Sequence, residues 1–538
     1  MRSKTSFFNP SLLKKDLLRF WPAWAIYTAL LLLGYCTDIL SFNKVQAIGG
    51  LQDSLCTFAF YNLIYGAVVS QLLFGDLFNS RRCNALHALP VRRESWFLTH
   101  ALAGLLYILI PVAVSGAVLL ASLPGCWSLI LAWMGGLMGQ YLLFFAIGLL
   151  SAQLAGNRFA ALVFYAMINF FSGIVLFLFY TLYLPHLRGV SVDIEGLLYL
   201  CPPVWLLQGD WCTPEMNGSW LWGSSWSYFF WLVPVALCFI GIALLLYRKR
   251  ALECAGDFLA FRGLRPVFLV LYTFSAGAAM QLFCQVFLGN GMDHLFLLVG
   301  LVGGFFTGLM LLDRSLQVFR LRSFAKFGAL LACFGLTLLL TVWDPIGITT
   351  WVPELEDVAS VQVDKRYASD REQFAITDPE IIAHLLNVHA YGVDHPEAAS
   401  NGVNDTRVAF TYKLKNGMTV SRVYHIDEGT LASMSLEYVR SAPQYVFGTD
   451  FTSTEVLAQR VSVLSVGNGE ITDKETIKSF LDALYADAVD GNLWDPGSIE
   501  SHASFHIFEE DGHISRSWTV GVYKSSTHTV RWLLDYYR

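Results

Sequence analysis

The first 343 residues alternate between long apolar runs and short polar, basic segments. Apolar runs of about 18 residues or more read as bilayer-crossing helices. Nine such spans are predicted, near 21–39, 56–74, 101–123, 127–150, 159–183, 228–247, 267–287, 295–312 and 327–343. Ahead of the first, Asn9-Pro10 supplies a helix cap followed by proline at the first helical position. Leu12, Leu13, Leu17, Phe20 and Trp21 then fall on one side of residues 11–21, with Lys14, Lys15 and Arg19 off it. That pattern predicts an amphipathic helix lying on the membrane surface.

From about residue 344 the period shortens to that of strands. Ala359–Val363 reads as a strand, Asp378 as the cap of a helix, and residues 407–425 alternate around Asn416-Gly417, a hairpin signal. The order then recurs: Val461–Val466 as a strand, a helix from Asp473 to near Ala488, and alternation over 503–523 around Asp511-Gly512. Two Ile-Thr-Asp triplets, at 376–378 and 471–473, lie 95 residues apart. The predicted fold is a membrane all-α domain of about nine transmembrane helices followed by an α+β domain with two β-α-β-β repeats, side by side or sharing a sheet.

Charge orients this pattern. The net charge of −6 divides into +8 over residues 1–343 and −14 over 344–538. With the N-terminus inside, 19 Lys and Arg fall on inner segments and two, Lys44 and Arg188, on outer loops. By the positive-inside rule this places the N-terminus in the cytoplasm and the C-terminal domain outside it. No cleavage site follows the first apolar run, so no removable leader is expected. All ten cysteines precede residue 334. A disulfide-free outer domain suits a bacterial envelope better than a secreted eukaryotic module. Cys201 and Cys212 could pair outside the membrane, with free thiols the alternative. The acidic half carries no basic patch for nucleic acid.

Chemistry is sparse. No phosphate loop, H-E-x-x-H or C-x-x-C motif occurs. Two histidine pairs, His384 with His389 and His502 with His506, could contribute to a metal site, but core or solvated histidines are the simpler reading. No cofactor site and no nucleophile–base pair can be read, so an enzyme is not expected. Spans without ionisable groups argue against a proton- or ion-coupled transporter. Asn62, Gln71, Gln140, Asn169, Gln281 and Gln285 are polar residues within spans and read as interhelical hydrogen-bonding groups. Gly300, Gly304 and Gly308 mark a close-packing helix face.

The polar segment 74–100, between the second and third spans, organises the rest. Residues 76–89 can form a short helix with Leu77, Phe78, Leu86 and Leu89 on its apolar side and Arg81 and Arg82 off it. Pro90 stops that helix, and Arg92, Arg93 and Glu94 open the next. The outcome is a basic, rigid knob; the plainer alternative is a positive-inside anchor loop. Outside, residues 184–227 are apolar but broken by Pro202-Pro203, Gly209 and Pro214. They predict re-entrant or interfacial helices with Trp205, Trp211, Trp220, Trp222 and Trp226 at headgroup depth.

The basic amphipathic first helix, Ala88-Leu89-Pro90-Val91-Arg92 after the second span, and the broken outer loop resemble the permease subunit of bacterial type-2 ABC exporters over residues 1–250. Glu253-Cys254-Ala255-Gly256-Asp257 and Asp344-Pro345-Ile346-Gly347 with Pro353 are similar to a Firmicute subgroup with extra spans and an extracytoplasmic domain. The resemblance implies a six-span core (1–250), three added spans (251–343) and an extracytoplasmic domain (344–538). It further implies a second permease subunit in the bilayer, a separate ABC ATPase docking beneath 76–93, and an exit near 197–226. A membrane sensor whose outer domain binds a ligand is the alternative function.

Overall fold

Helices in this chain end where the sequence supplies a cap or a break. In a computed structural model, residues 8–36, 44–88, 91–123, 125, 127–192, 197, 200–208, 227–288, 293–363, 375–395, 405–427, 446–447, 451–466, 469–493, 499–508 and 514–536 are described. They belong to two compact units, one of Met1–Tyr180 with Ile194–Gly335, the other of Thr181–Asp193 with Leu336–Arg538.

In the first unit, α1 (Pro10–Arg19) starts at Asn9, whose side chain accepts from the amides of Ser11 and Leu12. At Phe20 the chain turns by 59° into α2 (Trp21–Leu31), which continues through a wider π-wound turn, Leu32–Cys36. Then come α3 (Lys44–Leu73), the short α4 (Ser80–His87), α5 (Arg93–Ser122), α6 (Trp127–Leu154), α7 (Arg158–Leu178), the short α8 (Pro202–Gln208), α9 (Ser227–Lys249), α10 (Arg265–Leu288), α11 (Asp293–Asp313) and α12 (Leu321–Trp343). Among the described residues, eight helices are long and apolar enough to cross a membrane, or nine if the bent α1–α2 pair counts as one span. The predicted first span is the one in question, because the bend leaves α2 and its turn as the apolar arm. Outward-facing Leu102, Leu105, Leu109 and Val114 of α5 are exposed. Repeated along the other long helices, such a surface suits a multi-pass membrane protein.

The hub is α6, which buries Trp133, Leu137, Tyr141, Phe144, Phe145 and Leu149 against its neighbours. Its one strongly polar mid-helix side chain is fully engaged. Gln140 donates to Leu55 O (3.0 Å) and accepts from Asn62 Nδ2 (3.0 Å), and Asn62 accepts from the Tyr27 hydroxyl (2.5 Å). The polar residues Asn62 and Gln140 are therefore interhelical fasteners. The glycine stripe is likewise used within the chain: a Cβ at Gly300 would lie 2.7 Å from Ala276 O, so only glycine permits the contact of α11 with α10.

The second unit holds two antiparallel sheets over separate cores. One has strand order β1-β5-β4-β2-β3, built from β1 (Val190–Ser191), β2 (Val358–Val363), β3 (Ala375–Ile376), β4 (Asp405–Leu414) and β5 (Thr419–Asp427). The other has order β7-β6-β8-β9, from β6 (Val463–Val466), β7 (Gly469–Ile471), β8 (Ile499–Phe508) and β9 (Ile514–Tyr523). The helices α13 (Pro379–Asp394) and α15 (Lys474–Val489) cover them, with α14 (Thr454–Arg460) and α16 (Thr527–Tyr536) beside the second. The repeat is real, but each copy is β-β-α-β-β. The Ile of each Ile-Thr-Asp triplet ends an additional short strand, and the Asp caps the helix, Asp378 accepting from Glu380 N and Asp473 from Thr476 N. Gly417 turns the first hairpin with φ +86°, as the Asn-Gly pair requires. The second hairpin turn, at 511–512, lies outside the described residues.

Strand β1 comes from the segment between α7 and α8. Val190 pairs with Arg422 and Ser191 with Ser421, and Gly189 O accepts from Val423 N at 2.9 Å. The hydroxyls of Tyr183 and Thr337 meet at 2.7 Å. Thus a sheet predicted to lie wholly within residues 344–538 takes its edge strand from a distant part of the chain.

Candidate functional site

The stretch predicted as one helix over 76–89 is, among its described residues, two elements. A 3₁₀ turn, Gly75–Phe78, ends at Asn79, whose side chain accepts from the amides of Arg81 (3.1 Å) and Arg82 (3.2 Å) and starts α4. Arg81, Arg82, Asn84 and Ala85 are exposed on α4. Leu77 and Phe78, predicted on a partner-facing apolar side, pack instead into the chain's own core. Leu77 is 2% exposed, and Phe78 is half-buried against two hydrophobic clusters. The Asn79 break turns both side chains inward, because the 3₁₀ turn and α4 do not share one helical period. Leu86 lies in α4 with its side chain outside the described residues, and Leu89 and Pro90 lie outside them altogether. Arg92 is the extended cap of α5, and Arg93 donates to Arg250 O at 3.2 Å.

Asp76 gathers the rim. Its carboxylate is 3.7 Å from Arg19 of α1 and 3.5 Å from Arg82 of α4. Both arginines are well exposed, so each pair contributes at most about 1 kcal/mol and serves mainly to set direction. The firmer attachment of α1 is to α5. Asp16 and His100, both buried, approach to 2.6 Å; the Tyr107 hydroxyl donates to Asp16 O at 3.0 Å, and Asn9 N to the Thr99 hydroxyl at 3.3 Å.

Beneath α4 sits Arg250, 4% exposed. Its guanidinium donates to Ala152 O (2.6 Å), Gln153 O (3.2 Å) and Leu77 O (3.5 Å). Two of these carbonyls end α6, where the helix dipole is negative and favours a cation. Burial holds the guanidinium below its ordinary pKa, and the neighbouring Cys254 and Cys83 thiols oppose that shift. Burial in turn pushes the Cys83 thiol up, so Cys83 is a packing residue and not a reactive thiolate.

On the other predicted surface, Trp205 is buried in α8 within the main helical core, because Pro202-Pro203 start a helix that faces inward. Trp211, Trp220, Trp222 and Trp226 lie outside the described residues, as does Cys212; Cys201 is a buried free thiol.

The histidines of the C-terminal unit also resolve. His389 is fully buried, ringed by Phe410, Tyr412 and Tyr424. Its Nε2 accepts from Arg422 Nε at 3.2 Å, which assigns the ring proton to Nδ1. Arg422, 3% exposed, also donates to Ile348 O at 2.8 Å. Burial, then the Arg422 charge, lower the His389 pKa to about 3. An imidazole acting as acceptor for a guanidinium belongs to a core pair, and His384, half-buried five residues earlier, does not share its environment. The side chains of His502 and His506 lie outside the described residues. Among the described residues no group of three or more His, Cys, Asp or Glu could hold a metal.

The second repeat shows that this pair is a choice. Leu484 stands 95 residues beyond His389, and Trp518 pairs with Phe505 as Arg422 pairs with Phe410. At the matching helix position one copy of the fold buries leucine and the other histidine.

Sequence reading missed Arg250, Arg422 and β1. Arg250 stands beside Arg248 and Lys249 in a run that reads only as a positive-inside flank. Comparison with known protein families, with curated proteins and with solved structures finds no match.

Proposed function

We propose that the chain is the permease subunit of an ATP-driven ABC exporter in a bacterial cytoplasmic membrane. A separate ATPase would dock on α4, and a second permease subunit would complete the path. The observation that carries this reading is α4 itself. It is a short basic helix between two long apolar ones, exposing Arg81 and Arg82. Asn79 caps its start, and Arg250 and the Asp76 ion pairs brace its base. A mere anchor loop needs charge but no rigidity. A lever driven by a partner needs both, since force is lost in any element that bends more easily than the contact it follows.

The positive-inside rule puts α4 in the cytoplasm, where ATP is. With no phosphate loop in this chain, hydrolysis belongs to the partner. The apolar contact to that partner falls to Leu86 and Leu89, because Leu77 and Phe78 are occupied internally. Replacing both by alanine should leave insertion intact and abolish co-purification with the ATPase, each truncated anchor costing about 2 kcal/mol. A double variant that recruits its ATPase at the wild-type level refutes the assignment.

A second reading, a membrane sensor, is favoured by one observation: β1 makes the C-terminal sheet continuous with the segment following α7. A ligand on that sheet would then act on the segment that follows α7. Failure to find any ATPase partner would favour it.

A further inference from the structure

Residues 250–260, which the docking element does not itself use, touch three parts of the helical unit. Toward α4, Ala255 O accepts from the Ser80 hydroxyl at 3.0 Å, and Arg250 reaches Leu77 O. Toward the turn between α6 and α7 the contact is backbone to backbone. Gly256 N donates to Gly156 O (2.7 Å), Gly156 N to Phe258 O (3.4 Å) and Ala260 N to Leu154 O (2.8 Å), while Ala155 and Leu259 form a β-bridge. Asn157 Nδ2 adds a bond to Asp257 O at 3.2 Å. A Cβ at Gly156 would lie 2.3 Å from Cys254 O and 2.4 Å from Asp257 O, so only glycine lets the two segments meet. Toward the last three helices, Phe258 is buried against Phe268 of α10 (ring centroids 5.0 Å), and Phe268 packs on Phe164 of α7 (5.3 Å). Arg314, in the loop after α11, bonds to Gly256 O and lies 3.1 Å from the Asp257 carboxylate.

We propose that residues 250–260 are a rigid joint that makes α4, the α6–α7 turn and the α10–α11 pair move as one body. On this account the helices beyond residue 250 are carried by the docking element and are not a passive addition. The reason is mechanical. A surface loop of ordinary kind has water on one side and yields. This one is closed by main-chain hydrogen bonds on one side and a buried aromatic cluster on the other, and neither can shift without breaking the other.

The joint is tested within one subunit, and only the nucleotide step of the test rests on the permease reading. Spin labels are placed through non-natural residues at exposed Arg81 and Ser315, leaving the cysteines intact, and labelled chains are diluted into unlabelled ones in bilayer nanodiscs. The expected result is a single narrow 81-to-315 distance. Phe258→Ala combined with Arg314→Ala should replace it by a broad or multiple distribution, and the milder pair Ser80→Ala with Arg314→Ala should broaden it in part. A broad distribution in the unaltered chain, or a narrow one in both variants, overturns the joint. With the ATPase bound and a non-hydrolysable ATP analogue added, the distance between the residues at 81 in paired subunits should change while the 81-to-315 distance holds. If both change, the joint is wrong and the permease reading stands. If neither an ATPase nor a nucleotide effect is found but the 81-to-315 distance is single and variant-sensitive, the permease reading fails and the joint stands.

Discussion

Acidification should loosen the first repeat of the C-terminal unit and spare the second. The perturbation is protonation of His389, which is buried and neutral with Arg422 donating to it. Its folded pKa is about 3 against an ordinary value of 6.5. A folded pKa below the unfolded one means that the unfolded chain binds more protons between those two values. The stability is therefore complete above about pH 6.5 and is lost as pH falls toward 3. Each pH unit removes about 1.4 kcal/mol, so about 2 kcal/mol is gone at pH 5, or about 30-fold in the opening equilibrium. The facing charged groups are Arg422 on β5, which opposes protonation, and Asp344 on the segment after α12, which favours the guanidinium.

The assay is hydrogen exchange of the full chain in nanodiscs, corrected for the intrinsic rate, compared at about pH 8, well above the unfolded pKa, and about pH 5. Amides of β4 and β5 should lose about 30-fold in protection. Those of β8 and β9, with Leu484 at the matching place, should hardly move on this account. His389→Gln keeps an acceptor for Arg422 Nε without a titrating ring and should flatten the profile. His389→Leu should flatten it too, at a pH-independent cost of about 1–3 kcal/mol for the stranded guanidinium bond. Equal loss in both repeats, or an unchanged slope in His389→Gln, would refute the argument.

Other consequences are simpler to check. A reporter active only outside the cytoplasm should be active when fused after Arg538 and silent when fused near Arg82; the opposite pattern would reverse the charge-derived topology. Asn62→Leu strands the Tyr27 hydroxyl and the Gln140 amide and should cost about 1 kcal/mol, read as a lower unfolding temperature in detergent; the cost is small because the membrane-unfolded chain also finds partners. A chain starting at residue 355 lacks β1 and the Ile348 carbonyl that Arg422 uses, so it should unfold at lower denaturant than the same chain preceded by residues 344–354 and supplied with a segment carrying 187–193. Equal midpoints would show that the edge strand adds nothing.

Much of the architecture is local and so was legible in residue order. Asn9, Asp378 and Asp473 cap the helices they were read to cap, because a short acceptor side chain beside a free amide needs no distant partner. Asn416-Gly417 makes its hairpin for the same reason, and the long apolar runs make helices because nothing else satisfies so many backbone groups in an apolar setting. The duplicated Ile-Thr-Asp triplet revealed the repeat, though not the short strand that each isoleucine ends.

Periodicity says that a side chain will be covered, not by what, and the tertiary structure decided the rest. Leu77 falls on an apolar side by sequence and is covered, but by the chain's own core rather than by a partner. Arg250 and Arg248 are two residues apart in one basic run. One is sealed against the carbonyl end of α6, and the other stands half-exposed beside Glu94 at 3.2 Å. Val190 and Ser191 are too short a strand to carry any pattern, and their partner lies far along the chain, on β5. Such contacts are set by which surfaces meet after the helices and hairpins exist, and two residues of identical type and neighbouring number then receive opposite solvation.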